Sequence, residues 1–425
     1  MSADPNSAVG ILNRRDLFRN YMRAFNPTAP PREMIRAGLV IDELHGSLYR
    51  HLAVRADLEP GSQQLLVGGI GSGKTTELLL AESWLRSQEG AVSLYIDITA
   101  ETDLSGFNEG ALLAGFGRHL YRYVLSKFSA DAGVQQTTVK ETKQAIQEFC
   151  YGKTETEWVP YPDEPQDWEP EAEDFSDSDG YYRTREVPGK LKPPIPAIRR
   201  DLQSIGQTLS RLLALIREQK SDVVVIFDGL DRLLVPEKFV AAIYQDFRVL
   251  RGLKVSVLAT APISILYGAA QQISEQFERV HHIAPVPAAE PLLQTVLRRR
   301  CSDLSLLSEA NVARLCTYSG GVLRDLITLS RDAGEEAYVA GANEVRDQDV
   351  EYSAKQLGTA YLRGLGPEQI AALWTLANTR SLNLKLPAVL ELLVTRRVIE
   401  YSTTDFRVHP ALMAVLPQQE EAKSQ

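Results

Sequence analysis

The stretch from residue 64 to residue 76, QLLVGGIGSGKTT, constrains the fold of this 425-residue chain more than any other. A short apolar run leads into a glycine-rich turn, and a segment of strong helix formers follows it. The spacing G-x-x-x-x-G-K-[ST] is matched by Gly68, Gly73, Lys74 and Thr75. This pattern is typical of a strand, a loop and a helix in which the loop wraps around a phosphate group.

The chemistry of this loop predicts a bound nucleotide and a magnesium ion. Glycines let successive backbone N–H groups curl around a phosphate, and the positive end of the following helix attracts the same anion. Lys74 is expected to reach the β- and γ-phosphates, and the hydroxyl of Thr75 to bind Mg²⁺. The alternative, a glycine-rich turn without a ligand, leaves the four matched positions unexplained. The predicted nucleotide-binding residues are Gly68, Gly69, Ile70, Gly71, Ser72, Gly73, Lys74, Thr75 and Thr76.

Composition argues against several other classes of protein. With 44% hydrophobic and 24% charged residues, the chain reads as a soluble protein of two or three domains. No apolar run approaches the roughly 18 residues of a membrane span, and the N-terminus lacks a signal pattern. Cys150, Cys301 and Cys316 are widely spaced, which argues against a disulfide framework or a metal site. We therefore expect a cytoplasmic protein that does not bind membranes.

The net charge of −9 is concentrated in one segment. Residues 155–179 contain eleven acidic residues and no basic ones, so the rest of the chain is close to neutral. Global charge therefore argues neither for nor against nucleic-acid binding. Residues 152–196 have too little aliphatic surface to offset the entropy of ordering, which predicts a mobile insertion. This insertion is either an interaction or autoinhibitory segment or a solvated spacer.

Acidic and polar residues follow two further predicted strands of a buried parallel sheet. Residues 223–227 are apolar and mostly β-branched, and Asp228 and Asp231 come directly after them. The carboxyl ends of such strands form the rim where ligands bind. Asp228 is predicted to hold the Mg²⁺ through water, and Asp231 to orient or deprotonate an attacking water; a helix cap is the alternative. Thr260 ends the next strand, where its hydroxyl is placed to sense the γ-phosphate.

Helical periodicity replaces the strand pattern from residue 290 onward. Gly320 and Gly321 form a turn that begins a long helix, and Arg324 lies in the first turn of that helix. A planar guanidinium at this position can bind a phosphate. The alternative is a surface salt bridge from Arg324 to Asp325 or Asp332.

The C-terminal part, residues 366–416, reads as two helices, a short hairpin and a terminal helix, which suggests a winged helix. Its second helix, the usual reader of the DNA groove, has basic residues only at its end, at Arg396 and Arg397. The basic footprint of a DNA-binding module is absent. The sequence therefore favours a packing or regulatory module over a DNA-binding one.

Taken together, these parts resemble the AAA+ and STAND branch of P-loop ATPases over residues 35–416. The resemblance implies an α/β fold: an AAA+-like parallel sheet flanked by helices, an α-helical lid and a C-terminal winged-helix domain. It also implies ATP and Mg²⁺ as cofactors. Its Walker A, Walker B, sensor-1 and sensor-2 positions correspond to Gly68–Thr75, Asp228, Thr260 and Arg324. The expected domains are 1–58, an N-terminal helical segment; 59–286, the ATPase core; 287–362, the lid; and 363–425, the winged helix and tail.

Two positions bear on catalysis within that resemblance. Many relatives have an acidic residue directly after Asp231, whereas this chain has Arg232, as in KAP-type ATPases. The identity of the catalytic base and the rate of hydrolysis therefore stay open. Arg279, in a predicted helix just before the fifth strand, occupies about the place of an arginine finger. A finger supplied by a neighbouring subunit would imply a homo-oligomer.

The resemblance implies an ATP-dependent molecular switch that controls a partner protein or effector, with bacterial antiphage defence as the suggested setting. One alternative is a DNA-loading or remodelling ATPase, whose winged helix would bind DNA through Arg396, Arg397 and Arg407. Another is a nucleotide-binding scaffold that does not hydrolyse ATP, which Arg232 permits.

Overall fold

The computed structural model describes residues 13–102, 104–128, 134–151, 156–160, 176–177, 180–186, 201–233, 235–267, 277–301, 306–384 and 386–417. Their strands are β1 (Gln63–Gly68), β2 (Ala91–Asp97), β3 (Thr156–Pro160), β4 (Ser176–Asp177), β5 (Gly180–Glu186), β6 (Asp222–Asp228), β7 (Ser256–Ala261), β8 (Arg279–Ile283), β9 (Val398–Ser402) and β10 (Asp405–Val408).

The α-helices of the same residues cover most of the predicted helical segments. They are α1 (Arg14–Ala24), α2 (Pro31–Arg36), α3 (Leu48–Leu58), α4 (Lys74–Arg86), α5 (Ile98–Glu101), α6 (Ala111–Phe128), α7 (Val134–Tyr151), α8 (Leu202–Glu218), α9 (Pro236–Gly252), α10 (Pro291–Arg300), α11 (Glu309–Ser319), α12 (Leu323–Val339), α13 (Asp347–Leu362), α14 (Pro367–Thr379), α15 (Pro387–Val394) and α16 (Pro410–Met413). No helix of the described residues is long and apolar enough to cross a bilayer.

A parallel five-stranded sheet in the order β2–β6–β7–β1–β8 forms the centre of the molecule. Because all its strands run in one direction, the ends of β1, β6 and β7 meet at the same rim. The glycine-rich loop follows β1 there and leads directly into α4. This strand order, with the loop after its first strand, confirms the predicted AAA+-type P-loop NTPase fold.

Both faces of the sheet are covered by helices. Alternate strand residues enter two different hydrophobic clusters: Leu65 and Val225 pack with α6, α8 and α9, whereas Leu66 and Val224 pack with α3 and α4. The continuous apolar runs of β1 and β6 follow from this arrangement, since neither face meets water. The sheet is therefore a rigid support for the residues at its rim.

The first 58 residues divide between two parts of the molecule. Helix α1 packs into the lid formed by α10–α13, where Tyr21 and Phe25 are buried and the Tyr21 hydroxyl donates to the Ser330 carbonyl at 2.8 Å. Helix α3 instead packs beneath the sheet. The N-terminal helical segment is not continuous: α2 ends at Arg36, Gly38, Gly46 and Ser47 have positive φ, and α3 begins only at Leu48.

Part of the predicted acidic insertion has regular structure. Strand β5 pairs antiparallel with β3 and with β4 in a small three-stranded sheet. Aromatic and β-branched residues in this stretch, among them Trp158, Val159, Tyr181 and Tyr182, are frequent in strands. The other positions of the 152–196 segment lie outside the described residues, and its predicted mobility stays a prediction.

The C-terminal domain, residues 363–417, has the predicted order of two helices, an antiparallel hairpin and a final helix. Its apolar residues, among them Leu392, Leu393 and Leu412, belong to the same hydrophobic cluster as Leu65 and Val225 of the sheet. A Cβ on Gly321 of the lid would overlap the Val286 carbonyl, and Tyr401 of the hairpin donates to the Gly320 carbonyl at 2.7 Å. The core, the lid and the C-terminal domain therefore meet at this Gly-Gly turn.

Candidate nucleotide-binding site

The phosphate loop has the conformation that its glycines predict. Gly71 and Gly73 have φ of +83° and +106°, a region that other residues rarely adopt. A Cβ on Gly71 would lie 2.7 Å from the Cβ of Arg324, so the loop passes directly against the first turn of α12. The phosphate loop therefore packs against the lid at Gly71 and Arg324.

Lys74 lies inside the loop and is only 4% exposed. Its Nζ donates to the carbonyls of Gly68 and Gly69, at 2.8 Å each, and is 2.9 Å from Oδ2 of Asp231. A phosphate in the loop would therefore compete with Asp231 for this ammonium group. Asp231, predicted to act on a water, is in this structure the ion-pair partner of Lys74.

Asp228 is a buried carboxylate at the end of β6. Its Oδ2 accepts a hydrogen bond from the Tyr95 hydroxyl at 2.6 Å, and its Oδ1 accepts from the Gly229 amide at 2.8 Å. Burial raises its pKa, and repulsion from Asp231 adds to this, although hydrogen bonds from Tyr95, Thr75 and Gly229 oppose the shift. Among the described residues, no Lys, Arg or His forms an ion pair with Asp228.

A divalent cation fits the pair formed by Asp228 and Thr75. The two side chains are hydrogen-bonded to each other, and Asp228 has buried charge without a cationic partner. No cluster of three or more His, Cys, Asp or Glu able to hold a metal occurs among the described residues. Mg²⁺ needs no such cluster, since it is usually held by one or two protein oxygens, water and substrate phosphates.

Thr260 is completely buried at the end of β7. Its hydroxyl accepts a hydrogen bond from the Leu230 amide at 3.0 Å. Leu230 begins the short 3-10 turn that contains Asp231. Thr260 therefore holds the turn that positions Asp231, and its role as a sensor of the γ-phosphate stays a prediction.

Arg324 is exposed in the first turn of α12, beside Gly71. It forms no ion pair within the described residues, so the alternative salt bridges to Asp325 and Asp332 do not occur there. Its pKa is lowered, first because surrounding protein partly desolvates the guanidinium and then because Arg396 and Arg232 repel it. An unpaired guanidinium beside a phosphate loop is suited to bind an anion.

Arg279 does not join this group of residues. The prediction that it precedes the fifth strand in a helix is wrong: it is the first residue of β8 and pairs with Gln64, while Ile283 pairs with Gly68. Four residues of strand, about 13 Å, therefore separate Arg279 from the loop. It is exposed at the edge of the sheet, and its role as an arginine finger stays a prediction.

Sequence reasoning missed two residues that contact the loop or its partners. Tyr95 reaches Asp228 because β2 lies beside β6 in the sheet, with Asp97 opposite Asp228. His45 lies 3.0 Å, through Nε2, from the Ser72 carbonyl, and burial lowers its pKa. Only strand register could have indicated Tyr95, and no sequence signal marks His45.

The three arginines of the DNA-binding alternative are all engaged within the chain. Arg396 donates to Asp325 at 2.7 Å, and Arg407 pairs with Asp405 at 2.8 Å. Arg397 donates to the carbonyls of Tyr361 and Arg363, at the end of α13. Each of these three arginines therefore has at least one partner among the described residues.

Three solved structures are similar to the chain along most of its length. Cdc6p from Pyrobaculum aerophilum is 14% identical, with a TM-score of 0.44 over 95% of this chain and 98% of that one. The Aeropyrum pernix Orc1 protein, solved in complex with DNA, is 16% identical, with a TM-score of 0.41 over 91% and 97%. The Thermotoga maritima RuvB Holliday junction branch migration motor is 13% identical, with a TM-score of 0.37 over 90% and 96%.

No protein-family model matches the sequence, and no curated protein matches it either. The fold assignment therefore depends on the strand order and on the loop between β1 and α4.

Proposed function

We propose that this protein is an ATP- and Mg²⁺-dependent ATPase that acts as a molecular switch. One observation supports the proposal above all others: Gly71 of the phosphate loop is in contact with Arg324 of the lid and lies beside Arg396 of the C-terminal domain. A change in the ligand of the loop would therefore alter the contacts of the lid and of the C-terminal domain. A pocket for a small phosphate acceptor would not need these contacts.

The side chains of the site have distinct tasks in this proposal. Lys74 exchanges its ion pair with Asp231 for the β- and γ-phosphates. Thr75 and Asp228 would hold Mg²⁺, which would neutralise charge on the phosphates, and the Tyr95 hydroxyl fixes the orientation of the Asp228 carboxylate. Asp231, released from Lys74, is then near enough to orient an attacking water. Arg324 stabilises the γ-phosphate from the lid.

The switch itself is a change in the contacts of the lid and the C-terminal domain with the loop. ATP would close Arg324 onto the loop, and hydrolysis or release would weaken that contact. Such a STAND-like switch controls a partner protein or effector, and antiphage defence in the bacterial cytoplasm is the setting that we propose. Arg279 at the exposed sheet edge is available to complete the site of a neighbouring copy in a homo-oligomer.

A nucleotide-binding scaffold that does not hydrolyse ATP is the second candidate. The ion pair of Asp231 with Lys74 favours it, since a carboxylate that stays there is not available to act on water. The exposed Arg232 occupies the next position, where a second acid could have taken over that task.

The test is Mg²⁺-ATP binding and turnover by the full chain and by a Lys74→Ala variant. We expect the substitution to weaken ATP binding at least tenfold, because a charge-assisted hydrogen bond to phosphate is worth about 1.5–3 kcal/mol. Lys355→Ala, at an exposed position on α13, is the matched control and should bind ATP normally. Unchanged affinity in Lys74→Ala would contradict the site. Tight binding without a single turnover would favour the scaffold.

A further inference from the structure

Arg396 of the C-terminal domain lies beside the phosphate loop, far from it in sequence. It occupies the turn between α15 and β9 with φ of +64°, a conformation that is unfavourable for residues other than glycine. A Cβ on Gly71 would lie 3.6 Å from Nη1 of Arg396. The strained turn thus holds a guanidinium from one domain within contact distance of the loop of another.

A buried polar cluster around Asp325 holds this guanidinium in place. Asp325, four residues after Gly321 in the first turn of α12, is only 3% exposed, and its Oδ1 accepts from Nη1 of Arg396 at 2.7 Å. Its Oδ2 accepts from the Tyr361 hydroxyl at 2.6 Å and lies 3.2 Å from Nε2 of His409. Asp325, Tyr361 and His409 therefore act as positioning residues for Arg396.

Asp325 does not use the full binding capacity of Arg396. An arginine has five N–H donors, and the bond to Asp325 is the one side-chain hydrogen bond that Arg396 makes to the described residues. The Arg396 side chain is 20% exposed. Arg324, the second guanidinium beside Gly71, has no ion pair there and is repelled by Arg396. An anion in the loop would relieve this repulsion.

We propose that Arg396 binds the phosphate chain of the nucleotide in the loop, together with Lys74 and Arg324, so that the C-terminal domain senses the nucleotide directly. The proposal rests on the function proposed above. When the phosphate is present, Arg396 bridges it to Asp325 of the lid. When it is absent, Asp325 alone holds Arg396, and the C-terminal domain is docked less firmly.

The experiment compares ATP and AMP binding by the full chain and by Arg396→Ala, using calorimetry. Removing a charge-assisted bond to phosphate should weaken ATP binding about tenfold to a hundredfold. AMP, which lacks the β- and γ-phosphates, should bind equally to both proteins. Arg396→Lys keeps the charge and can keep the pair with Asp325, but it lacks the planar fork, so an intermediate loss is expected. This variant also provides the test if Arg396→Ala does not fold.

The matched control is Arg397→Ala, in the same turn. Arg397 donates to the Tyr361 and Arg363 carbonyls, so its removal loosens the same domain contact without removing a charge beside Gly71. A purely structural role of Arg396 would make the two alanine variants equal, or would weaken AMP as much as ATP, and either result would overturn the proposal. Failure of the proposed function is recognised separately, by Lys74→Ala retaining full ATP affinity.

Discussion

Asp228 and Asp325 are nearly equally buried, with 5% and 3% of each residue exposed, yet their pKa values shift in opposite directions. Burial raises the pKa of both, but at Asp325 the hydrogen bond from His409, the charge of Arg396 and the Tyr361 hydroxyl outweigh it, so its pKa is lowered. Asp228 has hydrogen bonds but no cation, and its pKa is raised. The Asp325 carboxylate therefore has a cationic partner in Arg396, whereas the Asp228 carboxylate has no ion pair within the described residues.

The opposite pKa shifts of Asp228 and Asp325 distinguish a carboxylate that stabilises the fold from one that serves the nucleotide site. A paired buried charge strongly destabilises a protein when its partner is lost. An unpaired one costs stability in the folded state and is kept where a cation binds or chemistry occurs. The cluster around Asp325 therefore joins the lid to the C-terminal domain, whereas Asp228 belongs to the nucleotide site.

The largest expected effect is that of Asp325→Asn on stability. The substitution leaves Arg396 without its anion in a mostly buried position, which should lower the free energy of unfolding by about 3–5 kcal/mol. The measurement is urea unfolding at pH 7.

The matched control is Asp405→Asn, which breaks the exposed ion pair with Arg407, whose side chains are 33% and 57% exposed. Such a pair is worth at most about 1 kcal/mol. Equal losses in the two variants would refute the role of the buried cluster.

The second prediction concerns Asp228→Asn, which should have opposite effects on turnover and on stability. Mg²⁺-dependent turnover should fall at least about a hundredfold, because a carboxylate that holds the metal contributes several kcal/mol to charge stabilisation. The free energy of unfolding without nucleotide should rise by about 0.5–2 kcal/mol, since an uncompensated buried charge is removed.

The sign of this stability change follows from the raised pKa of Asp228. The folded state keeps a proton that the unfolded state has lost, so wild-type stability falls as pH rises above about 4, the ordinary pKa of an aspartate. Asp222→Asn, at the opposite end of β6, is the control and should leave turnover unchanged. If Asp228→Asn instead lowers the free energy of unfolding at pH 7, the charge of Asp228 is compensated within the fold, as the charge of Asp325 is.

The smallest expected effect concerns a third buried carboxylate, Glu77 of α4. It accepts a hydrogen bond from the Tyr49 amide at 2.9 Å, and burial raises its pKa to about 7. Because the folded pKa lies above the ordinary value of 4.5 for a glutamate, wild-type stability should be lost as pH rises between these two values.

Glu77→Gln, which cannot ionise, should therefore match the wild type near pH 5 and be more stable by about 1–3 kcal/mol at pH 8.5. Thermal unfolding across that range measures the difference. Glu89→Gln, at an exposed position after α4, provides the comparison and should show no such pH dependence. Parallel profiles for Glu77→Gln and the wild type would show that Glu77 is charged in the fold.

Much of the fold could be predicted from the sequence, because the signals are local. The loop from Gly68 to Thr75, the apolar run before Asp228 and the Gly-Gly turn before α12 are each contained within a few residues. The wrong predictions concern segments whose structure depends on backbone conformation or on pairing with distant residues. Arg279 looked helical from its neighbours, but its backbone pairs with Gln64 at the sheet edge. The expected N-terminal helical segment is divided between α2 and α3, where Gly38, Gly46 and Ser47 have positive φ.

The roles within the site depend on contacts between distant segments. Asp231 was expected to act on water, and the structure pairs it with Lys74; Thr260 was expected to face the phosphate, and its hydroxyl binds the turn at Leu230. Arg396 was considered for DNA binding, and the structure brings it beside Gly71. No spacing in the sequence encodes these pairs, because each partner is delivered by a different strand or domain.

The sequence by itself determined that this chain has a phosphate loop on a parallel sheet, with an aspartate at the neighbouring strand end. That much follows from residue types and spacing within single strand–loop–helix units. Only the tertiary structure decided which buried carboxylate is neutralised and which is not. The physical reason is that desolvation and Coulomb interactions depend on what surrounds a charge in space: Arg396 comes to Asp325 from another domain, whereas no Lys or Arg of the described residues forms an ion pair with Asp228.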